Sequence, residues 1–181
     1  MNDSPSSFPN KSSLPHLHGQ AVWGVIVRVL GTNGHDAADC FQQTFLEFIA
    51  CQQKTAPVRS PEALLKKIAT ARAIDMVRKQ ARERKRTEPA DPDAVVSQRL
   101  PRPESFAEAE ELREDLRLAL AAIKKDHATA FVLTAIENMT TEEAATSMGI
   151  TVNHVRVLLH RARNAMQLHL ASHAPQRRVL K

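Results

Sequence analysis

Two stretches of this chain carry residues whose types and spacing suit work on a nucleic acid. The first, RKQARERKR from Arg78 to Arg86, has six cations and a single acid in nine residues. Cations at a helix C-terminus complement the macrodipole by about 0.3–1 kcal/mol each. Six so close together also repel one another, and a polyanionic partner accounts for them better. The second stretch is MTTEEAATSMGITVNHVRVLLHRARNAM, residues 139–166. Thr140 and Glu143 have capping-box spacing and start a short helix. Gly149 ends it where φ must be positive, Ile150 plugs the turn into the core, and Thr151 caps the next helix. Two helices joined by a short Gly-containing turn make a helix-turn-helix, whose second helix enters the major groove.

On that second helix Val152, Val155, Leu159, Ala162 and Met166 share one face. Asn153, Val157, His160 and Asn164 face away, flanked by Arg156, Arg161 and Arg163. No acid follows Glu143, whereas six Lys/Arg do. Arg156 and Arg161 suit phosphate or guanine, Asn153 suits adenine, and the apolar Val157 suits a thymine methyl. A hairpin that only packs explains the apolar face but not an acid-free basic helix. His169 and His173 stand four apart and read as surface histidines, since no further ligands accompany them.

Composition removes other classes. The chain has 181 residues, a net charge of +5, only 5 Gly and no Tyr, which disfavours a β-rich fold. Two cysteines, Cys40 and Cys51, are too few for a disulfide scaffold, and with no secretion signal they point to the cytoplasm. The longest apolar run, Ala21 to Leu30, is broken by Arg28 and is far short of the ~20 residues that a membrane span needs. No phosphate loop, nucleophile elbow or Cys/His cluster occurs, so the reading is of a non-enzyme without cofactor or metal.

The elements that position these residues are helices. The fold class is all-α: two small helical domains joined by a Pro-rich linker, the C-terminal one a helix-turn-helix. Residues 1–15 read as disordered, 16–86 as the first domain, and 87–105, with four prolines, as a flexible tether. Residues 106–172 form the second domain and 173–181 a basic tail. In the first domain, Gly31 and Asn33-Gly34 close an opening helix and Asp36 caps the next. There Ala38, Phe41, Phe45, Phe48 and Ile49 form a buried stripe. Asp36, Asp39, Gln43 and Glu47 lie opposite, with Gln42 and Leu46 at the flanks, and spacing alone favours plain solvated surface for them. The following helix, starting at Ser60-Pro61-Glu62, buries Leu65, Ile68, Ala69, Ala73 and Met76, while Lys67, Thr70, Arg78, Arg82 and Lys85 point the opposite way. Arg72, inside the apolar stripe, either snorkels or pairs with an acid. In the second domain an acidic helix, Glu104 to Ala122, repeats Leu112, Leu116, Leu120 and Ile123, and a further helix covers about His127 to Asn138.

Taken together, these residues resemble a bacterial RNA polymerase sigma factor of the small, extracytoplasmic-function group. HDAADCFQQTFLEFI (35–49) is similar to the region-two core helix, ALLKKIATARAIDMVRKQARERKR (63–86) to the promoter-melting helix, and ENMTTEEAATSMGITVNHVRVLLHRARNAM (137–166) to the region-four helix-turn-helix. The resemblance implies that region two binds core RNA polymerase through Asp36, Asp39, Gln42 and Gln43. It also implies that region two captures the melted minus-ten strand beside Lys67, Thr70, Ala71, Arg78, Arg82 and Lys85, with a flipped base held by the loop of residues 52–60. Region four then reads the minus-thirty-five element of promoter DNA through Thr151, Asn153, His154, Arg156, Val157, His160, Arg161 and Arg163. Many relatives have an anti-sigma factor as a further partner. Departures from the pattern are Gln43 for the usual Glu, Thr70-Ala71 for Arg-Asn, Val157-Leu158 for Ser-Arg, and the missing tyrosines of the first helix; they bear on promoter sequence, not on class.

The tether is consistent with this implication. Its nineteen residues span at most ~63–68 Å, enough for the domains to engage sites more than one ~34 Å helical turn apart. The modest charge predicts weak, salt-sensitive DNA binding by the free protein, with polymerase holding both domains in place. The other reading is a stand-alone helix-turn-helix regulator that binds duplex DNA as a dimer.

Overall fold

The computed structural model describes residues 14–31, 34–52, 60–87 and 104–173. The N-terminal stretch up to residue 13, most of the 52–60 loop, the tether between 88 and 103 and the end of the basic tail lie outside them. The described residues form seven α-helices and one π turn, with no strand among them. The helices are α1 (Leu14–Leu30), α2 (Gly34–Gln52), α3 (Pro61–Thr87), α4 (Glu104–Ala122), α5 (Lys125–Phe131), α6 (Thr141–Met148) and α7 (Val152–His173). The π turn, Val132–Ile136, follows α5 directly. No helix among the described residues is long and apolar enough to cross a membrane.

Element limits shift slightly from expectation. Helix α1 begins inside the segment read as disordered, with Leu14 buried at its first position, and Pro15 fits because a first-turn amide has no helical acceptor to lose. Gly31, at φ +80°, ends α1 with its amide donating to the Val27 carbonyl at 2.9 Å. At the other end of the chain the expected helix over 127–138 is α5 plus the π turn. There the Thr134 hydroxyl donates to the Ala130 carbonyl (2.8 Å) and the Glu137 amide reaches back five residues to Val132 (2.9 Å).

On α2 the buried stripe is Ala37, Cys40, Thr44, Phe45 and Phe48, not the one centred on Ala38, which is exposed. Thr44 can lie in this stripe because its hydroxyl donates to the Cys40 carbonyl at 2.7 Å, leaving its methyl to pack. Burial pushes the Cys40 thiol up to about 11, so it stays protonated and acts as a small apolar group. Phe41 is half-buried and meets Trp23 of α1 edge-on, with centroids 5.9 Å apart. On α4, Leu120 is buried at the lower end while Leu112 is 60% exposed, so only part of the predicted leucine stripe packs.

The largest departure concerns the two domains, which the tether led us to expect as separate bodies. One apolar core runs from α1, α2 and α3 into Ala119, Leu120, Ile123, Val132 and Met166 of the second domain. A smaller core, including Leu133, Ala144, Val155 and Leu159, belongs to the helix-turn-helix alone. Helix α3 holds the assembly together: it packs on α1 and α2, and also on α4, α5, α6 and the π turn.

Candidate nucleic-acid interface

The helix-turn-helix is built by three local devices. The Thr140 hydroxyl accepts from the Glu143 amide (3.1 Å) while the Glu143 carboxylate accepts from the Thr140 amide (2.9 Å), a complete capping box. Gly149 takes φ +69°, ψ +34°, the left-handed conformation that stops α6. Thr151 then accepts from the His154 amide at 3.2 Å and starts α7. The burial of Val155, Leu158, Leu159, Ala162 and Met166 turns the rest of α7 outward.

Thr151, Asn153, His154, Arg156, Val157, His160, Arg161 and Arg163 are all exposed. Val157, 38% exposed, is an apolar group among cations and polar tips, and none of these three arginines forms an ion pair among the described residues. The Asn164 amide lies 3.2 Å from the His160 ring, which steadies that ring on the surface. Behind the face, burial and the nearby Arg161 and Lys124 charges lower the pKa of His127 on α5.

The basic helix is different. Arg82 and Lys85 are exposed and Lys67, Ala71 and Arg78 are half-buried, but Thr70 is 0% exposed. The face expected to be open on α3 is therefore covered in part. Arg78 donates to the Ile123 carbonyl at the end of α4, and Arg84 pairs with Glu114 of α4. Arg72, left between snorkelling and pairing, is exposed and binds Glu47 of α2 through Nε at 2.6 Å. On α2, Asp39, Gln42 and Gln43 are exposed on one side. Asp36 is half-buried, with its carboxylate accepting from the Gln80 amide at 2.7 Å, so its role inside the domain is to tie α2 to α3.

Three residues that carry the contact between the domains escaped the sequence reading. Arg28 of α1 reaches Glu137, just past the π turn, through two hydrogen bonds of 2.7 Å, and the Glu137 side chain is only 2% exposed. Lys125 at the start of α5 meets Asp75 of α3 at 2.5 Å. The one available signal was Arg28 itself, a charge in the middle of an apolar run.

This arrangement, a helical domain with a long basic helix followed by a helix-turn-helix, defines a two-part DNA-directed transcription factor class, and comparison with known proteins identifies the family. The family profile described as Sigma-70 region 2 matches residues 16–83, and that described as Sigma-70 region 4 matches residues 113–166. The chain belongs to the sigma-70 family, in its extracytoplasmic-function (ECF) branch, with region 2 in α1–α3 and region 4 from α4 to α7. It is 32% identical over 171 residues to the ECF RNA polymerase sigma factor SigE of Mycolicibacterium smegmatis, covering 94% of this chain and 65% of that relative's length. The solved structure of CnrH in complex with the cytosolic domain of CnrY has the same fold, with a TM-score of 0.52 and 23% identity over 90% of this chain and 88% of that one. The sigma factor RpoE in complex with the anti-sigma factor NepR from Bartonella quintana aligns at a TM-score of 0.49 and 20% identity, over 88% of this chain and 96% of that one.

Proposed function

We propose that this chain binds core RNA polymerase and directs promoter-specific initiation of transcription. Region 2 captures and melts the minus-ten element, and region 4 reads the minus-thirty-five element. The observation that carries this reading is the α7 face, on which all eight expected contact residues are open and no acid opposes them. Arg156 and Arg161 bind phosphate or guanine there, Asn153 adenine, and Val157 a thymine methyl. Asp39, Gln42 and Gln43 on the open side of α2 form the polymerase contact, and Lys67, Ala71, Arg78, Arg82 and Lys85 flank the single strand. The function is that of a specificity subunit in the cytoplasm and not of a catalyst. Its partners are polymerase, promoter DNA and, as a regulator, an anti-sigma factor.

The test is run-off transcription with core polymerase across a genomic promoter library. The proposal predicts defined start sites sharing two spaced elements, and an Asp39→Arg variant that co-migrates less with core. A protein that directs no start site overturns it. Tight binding to a palindromic duplex without polymerase supports the stand-alone regulator instead.

A further inference from the structure

We propose that the second domain closes over α3 and holds the free protein in a state that excludes single-stranded DNA, while leaving its duplex-reading and polymerase faces open. This rests on the reading of α3 as the helix beside the melted strand.

Closure is built from contacts that all cross between the domains. Arg28 grips Glu137 in a two-pronged ion pair, Asp75 meets Lys125, and Arg84 meets Glu114. Arg78 donates to the backbone carbonyl of Ile123. The residues that lose access are those assigned to the strand: Thr70 is fully buried, and Arg78 is spent on the other domain. By contrast Asp39, Gln42 and Gln43 on α2, and the whole α7 face, stay exposed. The covering is selective.

The closed interface is also imperfect in a way that favours release. Two buried polar atoms on it, the Thr70 hydroxyl oxygen and Arg78 Nε, have no hydrogen-bond partner. Both belong to the strand-holding face, so separation returns them to water or to a nucleic-acid partner. The closing pairs are charge pairs with at least one side chain partly open to solvent, which a competing partner can exchange. A polyanionic strand competes for Arg84 and Arg78 directly.

The experiment uses the full chain without polymerase. Fluorescence anisotropy measures binding of a random-sequence single-stranded DNA library and of a random duplex, and small-angle scattering measures the radius of gyration. The variants are Arg28→Glu, Lys125→Glu and the swap Arg28→Glu/Glu137→Arg, none of which touches the proposed DNA or polymerase faces. If the open state is a minor one, populated at ~0.1–10%, opening raises single-strand affinity about tenfold or more. Arg28→Glu and Lys125→Glu each make the protein more acidic, so any gain runs against the charge change. The expected result is tighter single-strand binding and a larger radius for Arg28→Glu and Lys125→Glu, no gain for duplex, and return to wild-type values in the swap. Lys125→Glu disturbs only a half-exposed pair and covers the case in which Arg28→Glu fails to fold. Unchanged radius and affinity in both variants overturn closure, and a larger radius without tighter single-strand binding overturns occlusion. Start-site activity with core polymerase is read separately: its loss in every protein, wild type included, rejects the sigma function and not the closure.

Discussion

Helices α3 and α7 were read from the same kind of pattern, an apolar stripe with a basic face opposite, and they end in opposite situations. Helix α7 buries its stripe and leaves its basic face to solvent. Helix α3 buries its stripe against α1 and α2 and then a second arc, Thr70, Ile74 and Val77, with the other domain packed on it as well. A basic face is therefore a statement about what a helix can bind and not about whether it is free to bind it. The difference arises at the flanks. Apolar residues of α7 are confined to one side, whereas Ile74 and Val77 of α3 lie outside the first stripe and need a cover of their own.

The strongest test of that contrast is to remove the second arc. Ile74 is 0% exposed, and Ile74→Ala should cost about 2–5 kcal/mol. Leu159→Ala, in the small core under α7, falls in the same range. Because the larger core includes side chains of both domains, the wild-type chain should lose helical circular dichroism in urea as one transition. Two separate transitions, or an Ile74→Ala protein as stable as wild type, would show that α3 has one packed side in solution, as α7 does.

A smaller effect tests how the α7 face is aimed. A Cβ at Gly149 meets nothing within 4 Å, so Gly149→Ala carries only the cost of the left-handed backbone at φ +69°, about 1–2 kcal/mol. Thr140→Ala removes one arm of the capping box and should cost about 1 kcal/mol. Thermal melts of both variants decide the matter; a neutral Gly149→Ala would mean that the turn relaxes to another conformation and that α7 is not rigidly set.

These two regions also mark what was legible in the residues. The helix-turn-helix announces itself because its devices are local: Thr140, Glu143, Gly149 and Thr151 lie within twelve residues and act on neighbouring backbone. The faces of α7 follow from one apolar stripe. The closure of the two domains depends on pairs such as Arg28 with Glu137, 109 residues apart, and no local pattern encodes such a meeting. The tether misled for the same reason, since its prolines forbid a helix between the domains but say nothing about whether their surfaces fit. On α2, the wheel placed the stripe near Ala38 because it scored Thr44 as polar. A threonine whose hydroxyl returns to the preceding turn buries as readily as a valine.

The smallest predicted effect is a titration that reports on the α7 face alone. The pKa of His127 is lowered from its ordinary 6.5, first by burial and then by the Arg161 and Lys124 charges. The folded protein thus favours the neutral ring, while the unfolded chain takes up the proton more readily. This contribution to stability is whole above the ordinary imidazole range and declines as the pH drops below about 6.5 toward the lower folded value. The ring is only half-buried, so the decline is slight and is better followed by proton NMR of the imidazole than by unfolding. Arg161→Gln should move the pKa back upward. So should a duplex that engages Arg161, because a phosphate or guanine acceptor there offsets the cation that His127 feels. A His127 titration that ignores both changes would separate Arg161 from α5 and leave the contrast between the helices to rest on α3.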